Sequence, residues 1–137
     1  MSAMSENERF IRNAYEIAGR PDVAGWAACF NEDGTFTDES IGVTYRGPKE
    51  VGIPVEIMAT AFPDIHRELL NVYVSGDVVI VELTLNGTNT GPVKTPNGLI
   101  PASGRRMKAP CCDVFRLKNG RIQSFNCYPL MTDAAWS

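Results

Sequence analysis

The stretch from Met107 to Leu117 constrains this chain more than any other. Met107, Ala109, Cys111, Asp113, Phe115 and Leu117 fall on one side of a period-two pattern, so a strand here turns one apolar row toward a core. Lys118-Asn119-Gly120-Arg121 follows, and Asn-Gly tolerates the positive φ angles of a tight hairpin turn. A second strand-like run, Ile122 to Tyr128, completes the pair. Asp113 is thus a carboxylate set in the middle of an apolar face. Burying that charge unpaired costs several kcal/mol, so the acid must be neutral, paired or turned into a cavity.

The 137 residues fit one compact domain, 1–137, with a core that needs neither metal nor disulfide. A net charge of −3 provides no basic footprint for nucleic acid. The longest purely aliphatic run, Val78 to Val81, is too short to span a bilayer, and Met1 to Arg9 lacks an apolar signal core. A cytoplasmic protein with no membrane partner is the expectation. Cys29, Cys111, Cys112 and Cys127 show no C-x-x-C spacing, and His66 is the single histidine. This argues for inert thiols and against a metal site.

Ser5-Glu6-Asn7-Glu8 has the form of a capping box, followed by Phe10, Ile11, Ala14, Ile17 and Ala18 at helical spacing up to Gly19-Arg20. Pro21 suits the first position of a second helix with Asp22 at its positive end, and Val23, Trp26, Ala27 and Phe30 form its apolar stripe. Asn31 to Gly34 reads as a turn and Thr35 to Asp38 as a short strand. Val43 to Tyr45 leads to a third helix opened by Gly47-Pro48, with Val51, Val55, Met58 and Phe62 on one side. Pro54 requires a kink or a late start there. His66 to Ser75 and Val78 to Gly87 alternate as long strands around Gly76-Asp77. Residues 88–104 read as a long loop, and Pro129 to Ser137 as a tail. Helices first and strands afterwards predict an α+β fold, in which three N-terminal helices close one side of a curved antiparallel or mixed sheet. The resulting cone is the default place for a small ligand.

Four segments carry a family likeness: CFNEDGTFTD (29–38), YRGPKEV (45–51), AFPDIHRELLNVYVSGDVVIVELTLNGTNTG (61–91) and SGRRMKAPCCDVFRLKNGRIQSF (103–125). The chain resembles the nuclear transport factor two-like superfamily, a cystatin-like α+β roll, and within it the SnoaL-like polyketide cyclase and ester cyclase branch. The likeness implies a homodimer formed through the outer face of the sheet, where Ile80, Cys112 and Val114 are apolar.

Matched to ketosteroid isomerase within that superfamily, Asp38 takes the place of the general base. Asp113 takes that of a protonated aspartate in the oxyanion hole. One ionised acid and one held neutral by an apolar site is the pairing that makes such a centre work. The pocket tyrosine of that enzyme aligns with Ala14, with Tyr15 one residue round the helix, about 100° away. Cys127 stands where the cyclases and limonene epoxide hydrolase have a last-strand aspartate. Asn89 stands where the cyclases have the histidine of G-T-H-T-G.

Asp113 and Asp38 are therefore the leading catalytic candidates. Their plain alternatives are a buried acid held by hydrogen bonds and a surface turn acid. His66 ranks third, imidazole being the side-chain type suited to moving protons at physiological pH. Tyr15, Trp26, Tyr45, Met58, Phe62, Phe115, Phe125 and Cys127 are the expected pocket wall. The reading is a cofactor-independent isomerase or cyclase that abstracts a proton next to a carbonyl of a small apolar oxygenated molecule. A non-catalytic binding module with the same pocket is the alternative.

Overall fold

The computed structural model describes residues 4–137. Helix α1 (Glu6–Gly19) starts at Ser5, whose side chain accepts from the Glu8 backbone N–H at 3.1 Å. Only half of the expected capping box forms, because the Glu8 carboxylate pairs with Arg12 at 2.9 Å instead of turning back. Helix α2 (Val23–Ala28) is capped by Asp22, which accepts from the Gly25 N–H; Pro21 therefore precedes the cap rather than opening the helix.

Strand β1 (Phe30–Asp38) runs straight through the expected Asn31–Gly34 turn. A register shift between Phe30 and Thr35 absorbs those residues. The Asn31 amide ties them down by donating to the Lys118 carbonyl and to Gln123, both at 3.0 Å. Gly34 is needed there, since a Cβ would sit 2.9 Å from the carbonyl oxygens of Asn31 and Ile122. The ladder pairs resume at Thr35, so the bulge and the Asn31 contacts, not ladder pairing of these four residues, override local turn propensity.

Strand β2 (Val43–Arg46) follows, and helix α3 spans Ile53–Ala61. Of the two outcomes open for Pro54, the late start is found: the proline sits in the first turn, where its missing N–H leaves nothing unpaired. Because β1 and β2 precede α3, the third helix is not N-terminal to the sheet as expected. The long strands are β3 (His66–Ser75), β4 (Val78–Thr88), β7 (Arg106–Lys118) and β8 (Arg121–Pro129). The 88–104 segment carries a small hairpin of its own, β5 (Val93–Thr95) and β6 (Gly98–Ile100).

The main sheet has the order β2-β1-β8-β7-β4-β3. It is mixed: β1 pairs with β8 in parallel, and the other neighbours are antiparallel. Asn119 and Gly120 both adopt positive φ, 55° and 77°, and make the tight β7–β8 turn. All six members of the Met107–Leu117 row are buried, as are Val79, Val81, Leu83 and Leu85 opposite them on β4. The expected tail is fastened: Ser137 and Arg106 exchange two backbone hydrogen bonds of 2.9 Å, and Trp136 lies against Phe62. Among the described residues, no helix is long and apolar enough to cross a membrane.

Candidate active site

Between the inner face of the sheet and the three helices lies a cavity of about 140 Å3, roughly ten times what one ordered water needs. Its walls are mostly apolar. Ala18 comes from α1, Trp26 from α2, Val55 and Met58 from α3, Phe36 from β1, Leu85 from β4 and Phe125 from β8. Trp26 meets Phe36 and Phe125 edge-on at 6.1 and 5.8 Å, so these rings hold one another in place.

The polar groups gather at two places. Asp113 forms the floor, 3% exposed. Tyr15 Oη donates to its Oδ2 at 2.6 Å, and Cys111 Sγ donates to its Oδ1 at 3.2 Å. Cys127 Sγ is 3.7 Å from Cys111 Sγ. Arg67 also lines the cavity, projecting from β3 opposite Leu85 of β4. At the rim stands Asp38, the last residue of β1, half-buried. Its Oδ1 accepts from the Ser40 backbone N–H at 2.9 Å and from the Ser40 hydroxyl at 2.6 Å.

Two opposing effects act on Asp113. Burial raises its pKa, while hydrogen bonds from Tyr15, Cys111 and Cys127 and the nearby Arg67 charge lower it; burial prevails, and the pKa lies above the usual carboxylate value. The Tyr15 phenol is pushed well up, first by burial and then by the adjacent Asp113. The Arg67 guanidinium is pushed down by burial, with Asp113 opposing. Cys111 and Cys127 are both raised, so each holds its proton firmly.

The two sulfurs and an Asp113 oxygen lie within 4.8 Å of one another, the beginnings of a metal-binding set. Asp113 is already engaged by Tyr15 and Cys111, and Arg67 lines the same cavity with a positive charge that opposes a cation. The chemistry of this donor set fits hydrogen bonding better than ligation.

The structure brings Asp38, Asp113, Tyr15, Trp26, Met58, Phe125 and Cys127 to one cavity. His66 is not among them. It is exposed at the start of β3, on the face opposite Arg67, with Asn86 as its strand partner. Phe62, Phe115 and Tyr45 stand behind the wall: Phe62 packs on Trp136, Phe115 lies between Tyr15 and Phe125, and Tyr45 lies edge-on to Phe36.

Tyr15, turned away in the alignment argument, reaches the acid after all. Arg67 was missed. The signal for it is the alternation of His66-Arg67-Glu68-Leu69, which puts Arg67 on the same face as Leu69. Asn89, in place of the histidine, is buried and serves the loop. Its amide donates to the carbonyls of Ala61 and Gly91, and its oxygen accepts from the Ser103 N–H and hydroxyl.

The same fold, an α+β roll with a curved mixed sheet, occurs in solved structures of small-molecule enzymes and their relatives. A candidate SnoaL-like polyketide cyclase from Jannaschia sp. CCS1 is 20% identical, with 94% of this chain and 91% of that one covered at a TM-score of 0.79. The epoxide hydrolase/cyclase-like enzyme SalBIII, of pyran ring formation in the polyether salinomycin, is 23% identical over 93% of each chain, with a TM-score of 0.75. An LEH-like epoxide hydrolase from M. tuberculosis is 18% identical over 91% of this chain and 83% of its own, with a TM-score of 0.68. No curated protein matches in sequence. The family model of the SnoaL-like domain matches residues 11–125, and the chain belongs to that family.

Proposed function

We propose that the protein is a cofactor-independent enzyme that abstracts a proton next to a carbonyl of a small, largely apolar oxygenated molecule. The observation that carries this reading is that Asp38 and Asp113 line one apolar cavity, at its rim and at its floor. Asp38 removes the proton, and the C–H electron pair moves onto the carbonyl oxygen as an enolate. Tyr15 and a protonated Asp113 stabilise that oxygen by hydrogen bonding. Returning the proton to another carbon gives isomerisation, and attack of the enolate carbon on a second carbonyl gives cyclisation. The fold relatives named as cyclases and epoxide hydrolases support the substrate class, and the raised pKa of Asp113 supports its role.

The test is deuterium uptake by a panel of conjugated ketones in D2O, followed by NMR. Wild type should exchange the α-proton, with Asp38→Asn and Asp113→Ala each slower by at least about a hundredfold. Equal exchange by wild type and Asp113→Ala removes Asp113 from the mechanism.

One observation favours the second reading, a binding module. Both hydrogen bonds from Ser40 fall on Asp38 Oδ1, which ties that oxygen to the turn and leaves Oδ2 alone to meet a substrate proton. Ketones that bind without any exchange would decide for that reading. Under either reading we propose a homodimer through the outer sheet face, where Tyr73, Ile80, Cys112, Val114 and Tyr128 are exposed or half-buried. A monomeric mass by light scattering refutes it.

A further inference from the structure

We infer that the guest of this cavity carries a carboxylate and that Arg67 is the group that holds it. The inference rests on the small-molecule reading of the cavity and narrows its substrate class to acids with an apolar body.

Arg67 presents the second conflict between a charge and its surroundings. Its guanidinium has five N–H donors and keeps its charge in proteins. Among the described residues it donates no hydrogen bond to protein, and Nη1 is fully buried without a partner. Asp113 does not serve as counter-ion. No oxygen of that carboxyl comes within the 4.0 Å of an ion pair, and the carboxyl accepts from Tyr15 and Cys111 instead. With its pKa raised, Asp113 is also drawn toward the neutral form, which leaves the positive charge of Arg67 uncompensated.

A long basic side chain ordinarily buries its stem and lifts its charged end to water. Arg67, half-buried overall, instead turns Nη1 of its charged end into the cavity wall. An arrangement that is costly in the free protein is sustained when binding repays it, and a planar fork of donors matches a carboxylate with two parallel hydrogen bonds. The rest of the cavity, lined by Trp26, Phe36, Val55, Met58 and Phe125, offers such a guest no further positive charge. It suits an aliphatic or aromatic body. A keto acid satisfies both ends, with the carboxylate on Arg67 and the ketone oxygen beside Tyr15 and Asp113.

The experiment is calorimetric titration with a set of straight-chain and phenyl-terminated carboxylic acids, each paired with its primary amide. The proteins are wild type, Arg67→Met, Arg67→Lys and Val55→Phe, the last to crowd the cavity. Wild type should bind acids at least about tenfold more tightly than the matched amides. Arg67→Met should lose that preference while retaining amide binding, and its melting temperature without ligand should not fall. Arg67→Lys should keep a reduced preference, and it reads the same contrast if the methionine variant does not fold. Val55→Phe should weaken acids and amides together.

Three outcomes overturn the inference. If wild type binds amides as well as acids, Arg67 is no anchor, although the cavity reading survives. If acids still bind to Val55→Phe unchanged, they sit elsewhere. If neither acids nor amides bind to wild type, the carboxylate claim and the small-molecule reading fall together.

Discussion

Replacing Asp113 by asparagine tests whether burial or hydrogen bonding rules the floor of the cavity. The variant keeps the shape and one acceptor oxygen for Tyr15, and it removes the only carboxyl there. In wild type, burial raises the Asp113 pKa against Tyr15, Cys111, Cys127 and Arg67, which all lower it. The sign of the effect on stability follows by linkage. Between the ordinary value of 3.8 and the raised folded value, the native state holds a proton that the unfolded chain has released. Stability therefore falls as pH rises through that window, by up to about 1.4 kcal/mol per pH unit for one proton. Below 3.8 both states are protonated, and the contribution of Asp113 is fully present.

An amide side chain has no such proton to lose, so this slope should vanish in Asp113→Asn. The assay is urea unfolding of both proteins at steps from about pH 3 to about pH 9. Groups distant from the site titrate alike in both and cancel in the difference. With an m-value of about 1.5–2 kcal/mol/M for a domain of this size, the wild-type midpoint should drop by up to roughly 0.7–0.9 M relative to the variant for each pH unit inside the window. A constant offset of about 1 kcal/mol from altered hydrogen bonding is immaterial, because only the slope is read. A difference that stays flat, or in which wild type gains on the variant as pH rises, refutes the reasoning. The donors and Arg67 would then outweigh burial, and an ionised Asp113 has no proton to donate to an oxyanion.

Tyr15→Phe removes the 2.6 Å donor to Asp113 and should cost about 1–2 kcal/mol in denaturant unfolding. It should also slow any deuterium exchange by about a hundredfold, and a variant unchanged in both measurements removes Tyr15 from the site. Cys111 and Cys127 have raised pKa values, so native protein at about pH 8 should alkylate there far more slowly than a free thiol, and urea should abolish the protection. Mass spectrometry showing Cys127 modified at the free-thiol rate contradicts this. Asn89→Ala strips four side-chain hydrogen bonds from a buried loop hub. It should cost about 2–4 kcal/mol and expose residues 88–104 to limited proteolysis, and a stable, protease-resistant variant argues against the hub role.

Much of the architecture was legible because β4 and β7 each bury one face only. Alternation then fixes which residues turn inward, and a one-residue slip would invert the whole row. The Asn-Gly turn sets the pairs Lys118–Arg121 and Leu117–Ile122, and a register shift beyond Leu117 resets the rest of β7 against β8. β1 was illegible from the same kind of evidence. Asn31 to Gly34 has turn chemistry, and only the Asn31 side chain reaching Lys118 and Gln123, some ninety positions away, makes it strand. The small β5–β6 hairpin and the fastened C-terminus likewise depend on partners that local sequence does not name.

The two halves of the site differ in legibility for a physical reason. Asp113 was found because a charge inside an apolar row contradicts its neighbours, and no assumption about orientation was needed. Arg67 makes the same contradiction beside Leu69, but a basic residue near a strand start is habitually granted a route to water. Here that route is partial: the residue is half-buried, and Nη1 is shut off from water. Tyr15 shows the complementary limit. Its neighbour aligned with the family tyrosine, yet what places a hydroxyl on Asp113 is how α1 sits against β3 and β4, across 98 positions of sequence. A buried charge thus declares itself in sequence wherever strand periodicity is strict, while the group that answers it declares itself only in three dimensions. On that argument the answer to Arg67, which no described residue supplies, is to be sought in what the cavity binds.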